Sequence, residues 1–152
     1  MNDIKIEEYS DTYKSQVRDV IGKTLANVSV IDPKSLPIDD EDLNEIEKVY
    51  SGKGKFWVAL KDKKVIGTVA IRDLKSGEAK LNRMFVLIEH HGDGTGQKLL
   101  NYALDFAKKQ GFKKIILNTH ILMRRAHRFY EKNGFIRVNK TGDKYNYFKI
   151  IE

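Results

Sequence analysis

The segment that decides the fold of this 152-residue chain is His91-Gly92-Asp93-Gly94-Thr95-Gly96-Gln97-Lys98-Leu99-Leu100. Its three glycines stand at alternate positions, so the backbone can turn tightly and approach a ligand without a Cβ atom in the way. A long strand, roughly residues 78–88, precedes the loop, and an amphipathic helix follows it and ends at Gly111. The free N–H groups of that helix point back into the loop, an arrangement that binds phosphate. A strand-to-helix turn that merely needs glycine is the alternative.

Two common nucleotide-binding motifs do not fit this loop. A P-loop has the pattern G-x-x-x-x-G-K-[ST], whereas here Gly96 already stands four residues after Gly92 and is followed by Gln97 and Lys98. The dinucleotide pattern G-x-G-x-x-G fails as well, because Gly92-x-Gly94 leads to Gln97. The phosphate ligand must therefore belong to another class.

The rest of the chain predicts a single domain over residues 1–152, with no repeat or linker. Pro33 and Pro37 break the chain between a first helix (residues 10–28) and a second (39–50). The predicted element order is β-α-α-β-β-β-α-β-α-β-β, with strands near residues 4–7, 56–60, 65–71, 78–88, 112–120, 135–138 and 145–151. The later helices are expected near residues 96–110 and 123–133. This order favours an α/β (α+β) fold, a mixed, mainly antiparallel sheet flanked by helices on both faces.

Composition excludes several classes of function. The chain has no cysteine, so a disulfide framework, a thiolate metal site and a cysteine acyl-enzyme are ruled out. Its 28 Lys+Arg and 21 Asp+Glu give a net charge of +7, but the charge is spread along the chain, which makes nucleic acid an unfavoured partner. No metal site is predicted. Without a signal peptide or an apolar span, we expect a cytoplasmic protein that does not enter the membrane.

Two motifs resemble those of the GNAT superfamily of N-acetyltransferases. The loop resembles motif A, in which a strand leads into [QR]-x-x-G-x-[GA] and then a helix, with His91 at the position of the usual Gln or Arg. Residues 126–135, Ala-His-Arg-Phe-Tyr-Glu-Lys-Asn-Gly-Phe, look like the A-x-x-[FL]-Y-x-x-x-G-F signature of motif B. Met123 stands where an Asn is common three residues before that motif. The two motifs together span residues 80–135, and the element order extends the resemblance over nearly the whole chain.

The resemblance implies acetyl-CoA as cosubstrate, with the loop amides on its pyrophosphate and the strand edge at Met84 and Val86 along its pantetheine arm. It implies Tyr130 as the general acid that protonates the departing thiolate. Glu78 is a candidate general base, on the same face as Met84 by period-2 counting, and His120 is another. The residues expected to bind the cosubstrate are Met84, Phe85, Val86, His91, Gly92, Asp93, Gly94, Thr95, Gly96, Phe129, Tyr130 and Lys132.

The function implied is transfer of an acetyl group to a primary amine by direct attack in a ternary complex. A non-catalytic CoA-binding module of the same fold and a basic nucleic-acid-binding domain are the alternatives. The acceptor, a small molecule or a peptide, is not identified by any motif, and a homodimer is left open. The acidic run Asp39-Asp40-Glu41-Asp42 is either a helix N-terminal charge cluster or the mouth of a site for a cationic amine.

Overall fold

The computed structural model describes residues 3–36 and 38–152. Pro33 begins a short 3₁₀ turn, Pro33–Ser35, whereas the predicted break at Pro37 lies outside the described residues. The strands are β1 (Lys5–Glu8), β2 (Lys55–Lys61), β3 (Lys64–Asp73), β4 (Glu78–Val86), β5 (Lys114–His120), β6 (Ile136–Thr141) and β7 (Lys144–Ile150). The helices are α1 (Lys14–Asn27), α2 (Glu41–Asn44), α3 (Ile46–Val49), α4 (Thr95–Lys109) and α5 (Arg124–Lys132).

Within the described residues, seven strands form one sheet in the order β1-β2-β3-β4-β5-β7-β6. Every neighbouring pair is antiparallel except β4 and β5, which are parallel because α4 crosses over between them. The mixed, mainly antiparallel sheet with helices on both faces is thus as predicted. None of the described helices is both long and apolar enough to cross a bilayer.

The two faces of the sheet carry separate hydrophobic cores. On one face, α4 buries Leu99, Leu100, Ala103 and Ala107, which follow helical spacing and pack on β2–β5. On the other face, α1 packs with α2 and α3 against β2 and β3. Since β2 and β3 are covered on both faces, their side chains form nearly continuous buried runs.

Two elements differ from the prediction. The expected helix over residues 39–50 is two short helices, because Glu45 takes a non-helical conformation (φ −137°, ψ 52°) between α2 and α3. The long strand ends at Val86, and residues Ile88–His90 form a 3₁₀ turn that leads into the glycine loop. Hydrophobic spacing located these elements, but their ends depend on tertiary contacts that periodicity does not contain.

Candidate active site

A β-bulge in β4 changes which side chains face each side of the sheet. Asn82 pairs with Ala70 of β3, and the next pair lies two residues along β3 but three along β4, at Phe85. Arg83 accommodates the extra residue with a φ of +54°, a conformation uncommon for any residue other than glycine. Beyond the bulge, Met84 packs against the core on the α4 side and Phe85 against the core on the α1 side.

Strands β4 and β5 separate before β4 reaches the bulge. Their parallel ladder joins Glu78, Ala79 and Lys80 to β5, and no further pair between them occurs in the described chain. The β5-facing edge of β4 beyond Lys80 is therefore left open, and its backbone groups can pair with a ligand. The gap in the middle of the sheet positions the two cavities described below.

The glycine loop is held by one carboxylate. Asp93 Oδ1 accepts hydrogen bonds from the backbone N–H of Thr95 (3.0 Å) and from its hydroxyl (2.6 Å), while Oδ2 lies 2.9 Å from Nδ1 of His90. Although burial alone would raise the pKa of Asp93, the bonds from Thr95 and His90 hold it below its usual range. Gly92 and Gly94 have φ of +84° and +88°, which explains why glycine is needed at both positions.

His91 contacts the end of β4 through its ring. Its Nε2 lies 3.0 Å from the carbonyl oxygen of Val86, so Nε2 carries the proton and donates it. The other ring nitrogen has no partner among the described residues. His91 thus ties the head of the loop to the open edge of β4 and keeps Nδ1 available to a ligand.

The loop, β4 and α5 enclose a cavity of about 500 Å³, which we call the loop cavity. No acidic side chain of the described chain lines it, whereas Arg124, Arg125 and Lys132 do. Most of the remaining wall is apolar. A cavity of this kind suits a long ligand that is anionic at one end and apolar along its length. Its lining includes Met84, Phe85, Val86, His91, Gly92, Gly94, Gly96, Gln97, Met123, Ala126, Phe129 and Tyr130.

Tyr130 is a buried tyrosine whose hydroxyl has no hydrogen-bond partner in the described part of the chain. The residue is 6% exposed and packs against Phe129, Phe135 and Tyr147. Burial raises the pKa of the phenol, so the hydroxyl stays protonated at neutral pH. A buried phenol usually finds a protein partner, which makes this one a candidate for contact with a ligand.

A second cavity, of about 650 Å³, opens on the α1 side of the sheet, and we call it the sheet cavity. It is lined in part by charged side chains of β3, β4 and β7 and by the segment before α2. The loop cavity and the sheet cavity share part of their walls, so they meet inside the molecule. The residues that line both are Met84, Phe85, Met123, Ala126 and Tyr130.

Comparison with known proteins identifies this architecture. The family model described as "Acetyltransferase (GNAT) family" matches residues 24–135, which is most of the chain and includes both motifs. The chain belongs to the GNAT acetyltransferase family.

Curated relatives are N-acetyltransferases. N-acetyltransferase 8F1 of Rattus norvegicus is 34% identical over 110 residues, which cover 68% of this chain and 48% of that protein. The uncharacterized N-acetyltransferase YjgM of Escherichia coli K12 is 30% identical over 124 residues, covering 79% of this chain and 74% of that protein. This GNAT chain therefore spans about half the length of its rat relative.

Solved GNAT structures share the whole fold. An acetyltransferase of the GNAT family from Staphylococcus aureus Mu50 superposes with a TM-score of 0.88 at 27% identity, over 99% of this chain and 100% of that one. The PaiA N-acetyltransferase of Thermoplasma acidophilum, solved in complex with coenzyme A, superposes with a TM-score of 0.82 at 22% identity. It covers 97% of this chain and 99% of its own, and at this identity it supports the fold alone.

Most of the residues expected from the GNAT resemblance come together. Ten of the twelve line the loop cavity, and the two that do not are Asp93 and Thr95. The N–H of Thr95 is taken by Asp93 and its side chain is fully buried, so this amide is not free to hold a phosphate as expected. These two residues shape the GNAT loop instead of facing its cavity.

The structure does not bring Glu78 to the other candidate residues. Glu78 begins β4, lies 3.5 Å from Nζ of Lys114, and lines neither cavity. The expectation that it shares a face with Met84 is wrong, because the bulge at Arg83 shifts the alternation by one residue. In this GNAT chain Met84 faces the α4 side together with Ala79, not with Glu78.

The other candidate base, His120, does line the sheet cavity. Its Nδ1 accepts a hydrogen bond from the N–H of Leu122 (3.1 Å), and its Nε2 lies 3.1 Å from Asp143 Oδ2. Both ring nitrogens are therefore occupied, with Nε2 as the donor. This arrangement favours a role in holding the end of β5 over proton abstraction.

Two carboxylates of the acidic segment, those of Asp40 and Asp42, are paired with a residue that the sequence analysis did not single out. Arg83 donates to Asp42 and to Asp40, at 2.6 and 2.7 Å from Nη2, although both carboxylates line the sheet cavity. Tyr50 donates to the same Asp42 at 2.7 Å. For Asp40 and Asp42, these bonds favour a structural role over the attraction of a cationic amine. No local signal marked Arg83, because its partners lie about forty positions away in the sequence.

Proposed function

We propose that this chain transfers an acetyl group from acetyl-CoA to a primary amine by direct attack within a ternary complex. One observation carries the proposal: Tyr130, whose protonated hydroxyl has no hydrogen-bond partner among the described residues, lines both cavities. The loop cavity would hold the cosubstrate and the sheet cavity the acceptor, so that the two reactants meet at Tyr130.

The loop cavity fits coenzyme A in charge and in shape. Amides of Gly92, Gly94 and Gly96 at the start of α4 suit the pyrophosphate, and the cations around them suit its charge. The apolar wall at Met84 and Phe129 suits the pantetheine arm, whose amide groups would pair with the open edge of β4. A backbone N–H at that edge would polarise the thioester carbonyl.

The reaction needs an acid for the leaving group and an acceptor for the proton of the amine. The amine nitrogen attacks the carbonyl carbon, a C–N bond forms, and the C–S bond breaks. Tyr130 gives its proton to the departing thiolate, and the proton lost by the nitrogen restores the phenol. Because the chain has no cysteine, the transfer cannot pass through a cysteine acyl-enzyme. We also propose that the chain acts in the cytoplasm, as its sequence predicts.

A screen for CoA release tests the proposal. Polyamines, amino acids, aminoglycosides, peptide N-termini and lysine peptides are incubated with acetyl-CoA, and free thiol is measured with and without the chain. Amine-dependent release that falls by about 10²–10³ in Tyr130→Phe supports the transferase. Stoichiometric CoA binding by calorimetry without release from any amine would instead assign the chain to the non-catalytic binding module.

A further inference from the structure

Besides Arg83, three cations from three different strands face the sheet cavity. Arg72 of β3, Lys80 of β4 and Lys144 of β7 all line it. Arg72 and Lys80 are directly opposite each other in the antiparallel ladder. Like charges at directly opposed positions destabilise a sheet, so this pair lowers the stability of the fold. A residue pair that lowers stability is often kept because it serves a function. We call Arg72, Lys80 and Lys144 the cation cluster.

The carboxylates that line the sheet cavity, those of Asp39, Asp40 and Asp42, form no ion pair with the cation cluster. Asp40 and Asp42 are bound to Arg83, and Glu78 contacts Lys114. Across residues 3–36 and 38–152, no carboxylate lies within 4.0 Å of the side-chain nitrogens of the cation cluster. Among the described residues, the positive charge of the cation cluster is therefore not balanced by a direct ion pair.

Of the three cations, Lys80 would be stabilised most by a bound anion. It is the last residue of β4 that pairs with β5, so it stands where the strands separate and the cavity begins. Its side chain is partly buried, whereas Arg72 and Lys144 are exposed. Burial, followed by the charges of Lys144 and Arg72, lowers the pKa of Lys80. A bound anion would relieve both the burial cost and the repulsion. Asn118, in the same lining, adds a neutral donor.

We propose that the amine acceptor of this chain also carries an anionic group, a carboxylate or a phosphate, which the cation cluster binds. The proposal rests on the proposed function, since it takes the sheet cavity as the acceptor site. The anion would lie toward Lys80 while the amine lies toward Tyr130, so the cluster would select acceptors by charge and orient the nitrogen. A free polyamine, having no anionic group, would be a poor acceptor.

The test uses matched acceptors of graded length. Straight-chain ω-amino carboxylates of two to six carbons are compared with ω-aminoalkyl phosphates and with neutral ω-amino carboxamides of the same length. At one or more lengths, we expect kcat/KM for an anionic acceptor to exceed that of its neutral match by at least tenfold. The carboxylate and phosphate series tell the two sources of charge apart. Equal kcat/KM for charged and neutral acceptors at every length would overturn the proposal.

Substitutions in the cation cluster test whether these residues cause the preference for anionic acceptors. Lys80→Gln should reduce the preference for the anion at least fivefold, mainly through the KM of the acceptor, with the KM of acetyl-CoA unchanged. Lys53→Gln is the matched control, because it removes the same charge from an exposed turn outside both cavities and should leave the preference intact. Since Lys80 opposes Arg72, the Tm of Lys80→Gln should stay equal or rise. A preference that survives in Lys80→Gln and in Arg72→Gln would contradict the assignment.

A binding measurement separates this proposal from the proposed function. The same acceptors are titrated into the chain saturated with CoA, and the NMR shifts of the backbone amides of Lys80 and Asn118 are followed. Binding of anionic acceptors in this titration, together with no turnover of them when acetyl-CoA is supplied, would overturn the transferase and support the cation cluster as an anion site. Turnover without preference for anions would support the transferase and overturn the cation cluster as an anion site. The absence of both binding and turnover would overturn both proposals.

Discussion

Arg83 and Asp42 are joined by two parallel hydrogen bonds, from Nη2 to Oδ1 at 2.6 Å and from Nε to Oδ2 at 3.0 Å. This fork-to-fork contact connects the bulged residue of β4 to helix α2, although the two are 41 positions apart in the sequence. Both side chains are less than a fifth exposed, so the pair is shielded from water. The backbone carbonyl of Arg83 also accepts a hydrogen bond from Thr68 at 2.7 Å. Together these contacts hold the bulge that presents Met84 and Phe85 to the two cavities.

Removing that contact should lower stability in a pH-dependent way. Although burial raises the pKa of Asp42, bonds from Arg83 and Tyr50 outweigh it and hold the pKa below its ordinary value. A carboxyl group with a depressed pKa stabilises the fold above its unfolded pKa, near 4, and this contribution is lost as the pH falls through the folded pKa. Asp42→Asn should therefore cost on the order of 1–3 kcal/mol at pH 7 and less at pH 3. Urea unfolding at both pH values measures the difference, and an equal loss at pH 3 would contradict the ion pair.

Tyr130→Phe should lower kcat by about 10²–10³ with no loss of Tm, because the missing hydroxyl has no protein partner among the described residues. Tyr147→Phe is the matched control. Its hydroxyl donates to Glu131 at 2.6 Å and accepts from Arg137, so this variant should lose stability and keep its kcat. Because burial raises the pKa of Tyr130, kcat should not fall on the alkaline side below about pH 10. Parallel losses of Tm and kcat in Tyr130→Phe would indicate a packing role.

The loop cavity can be tested at Gly96, which has no positive φ. A Cβ there would meet Met84, Phe129 and Val86 at 3.7–3.8 Å, an ordinary contact distance, so the backbone tolerates a side chain. Gly96→Asp should keep its Tm, since a carboxylate at a helix N-terminus is favourable, yet weaken CoA binding at least tenfold by repulsion. Calorimetry on Gly96→Ala gives the steric effect alone. Equal CoA affinity in the two variants would count against a phosphate site here, whereas Gly94→Asp would be confounded by backbone strain.

Asp93 provides a test of loop shape apart from cavity contact. In Asp93→Ala the fully buried Thr95 would lose the acceptor of both its N–H and its hydroxyl, at a cost of about 1–3 kcal/mol. We expect weaker CoA binding and faster hydrogen exchange of the Thr95 amide. Asp93→Asn keeps an acceptor oxygen and should lose less on both measures. Unchanged exchange in Asp93→Ala would show that the loop does not depend on this carboxylate.

The element order and the glycine loop were predictable because their signals are local. Helical spacing of Leu99, Leu100 and Ala103 and the glycines before them lie within one short segment, where backbone preference and periodicity act directly. The same is true of Tyr130, whose place on the cavity follows from the motif that surrounds it. By contrast, periodicity does not encode the contacts that split the second helix at Glu45. Nor does it encode the hydrogen bond from the Thr95 amide to Asp93 that stabilises the loop.

What the sequence by itself determined is therefore the order of strands and helices, the glycine-rich loop before α4 and the family of the chain. Only the tertiary structure decided which side chains share a wall. The bulge at Arg83 reversed the alternation of β4, which separated Glu78 from Met84, because a single extra residue moves every later side chain to the opposite face. Likewise Arg72, Lys80 and Lys144 come from three strands that meet only in the folded sheet, and their repulsion acts only at that close range.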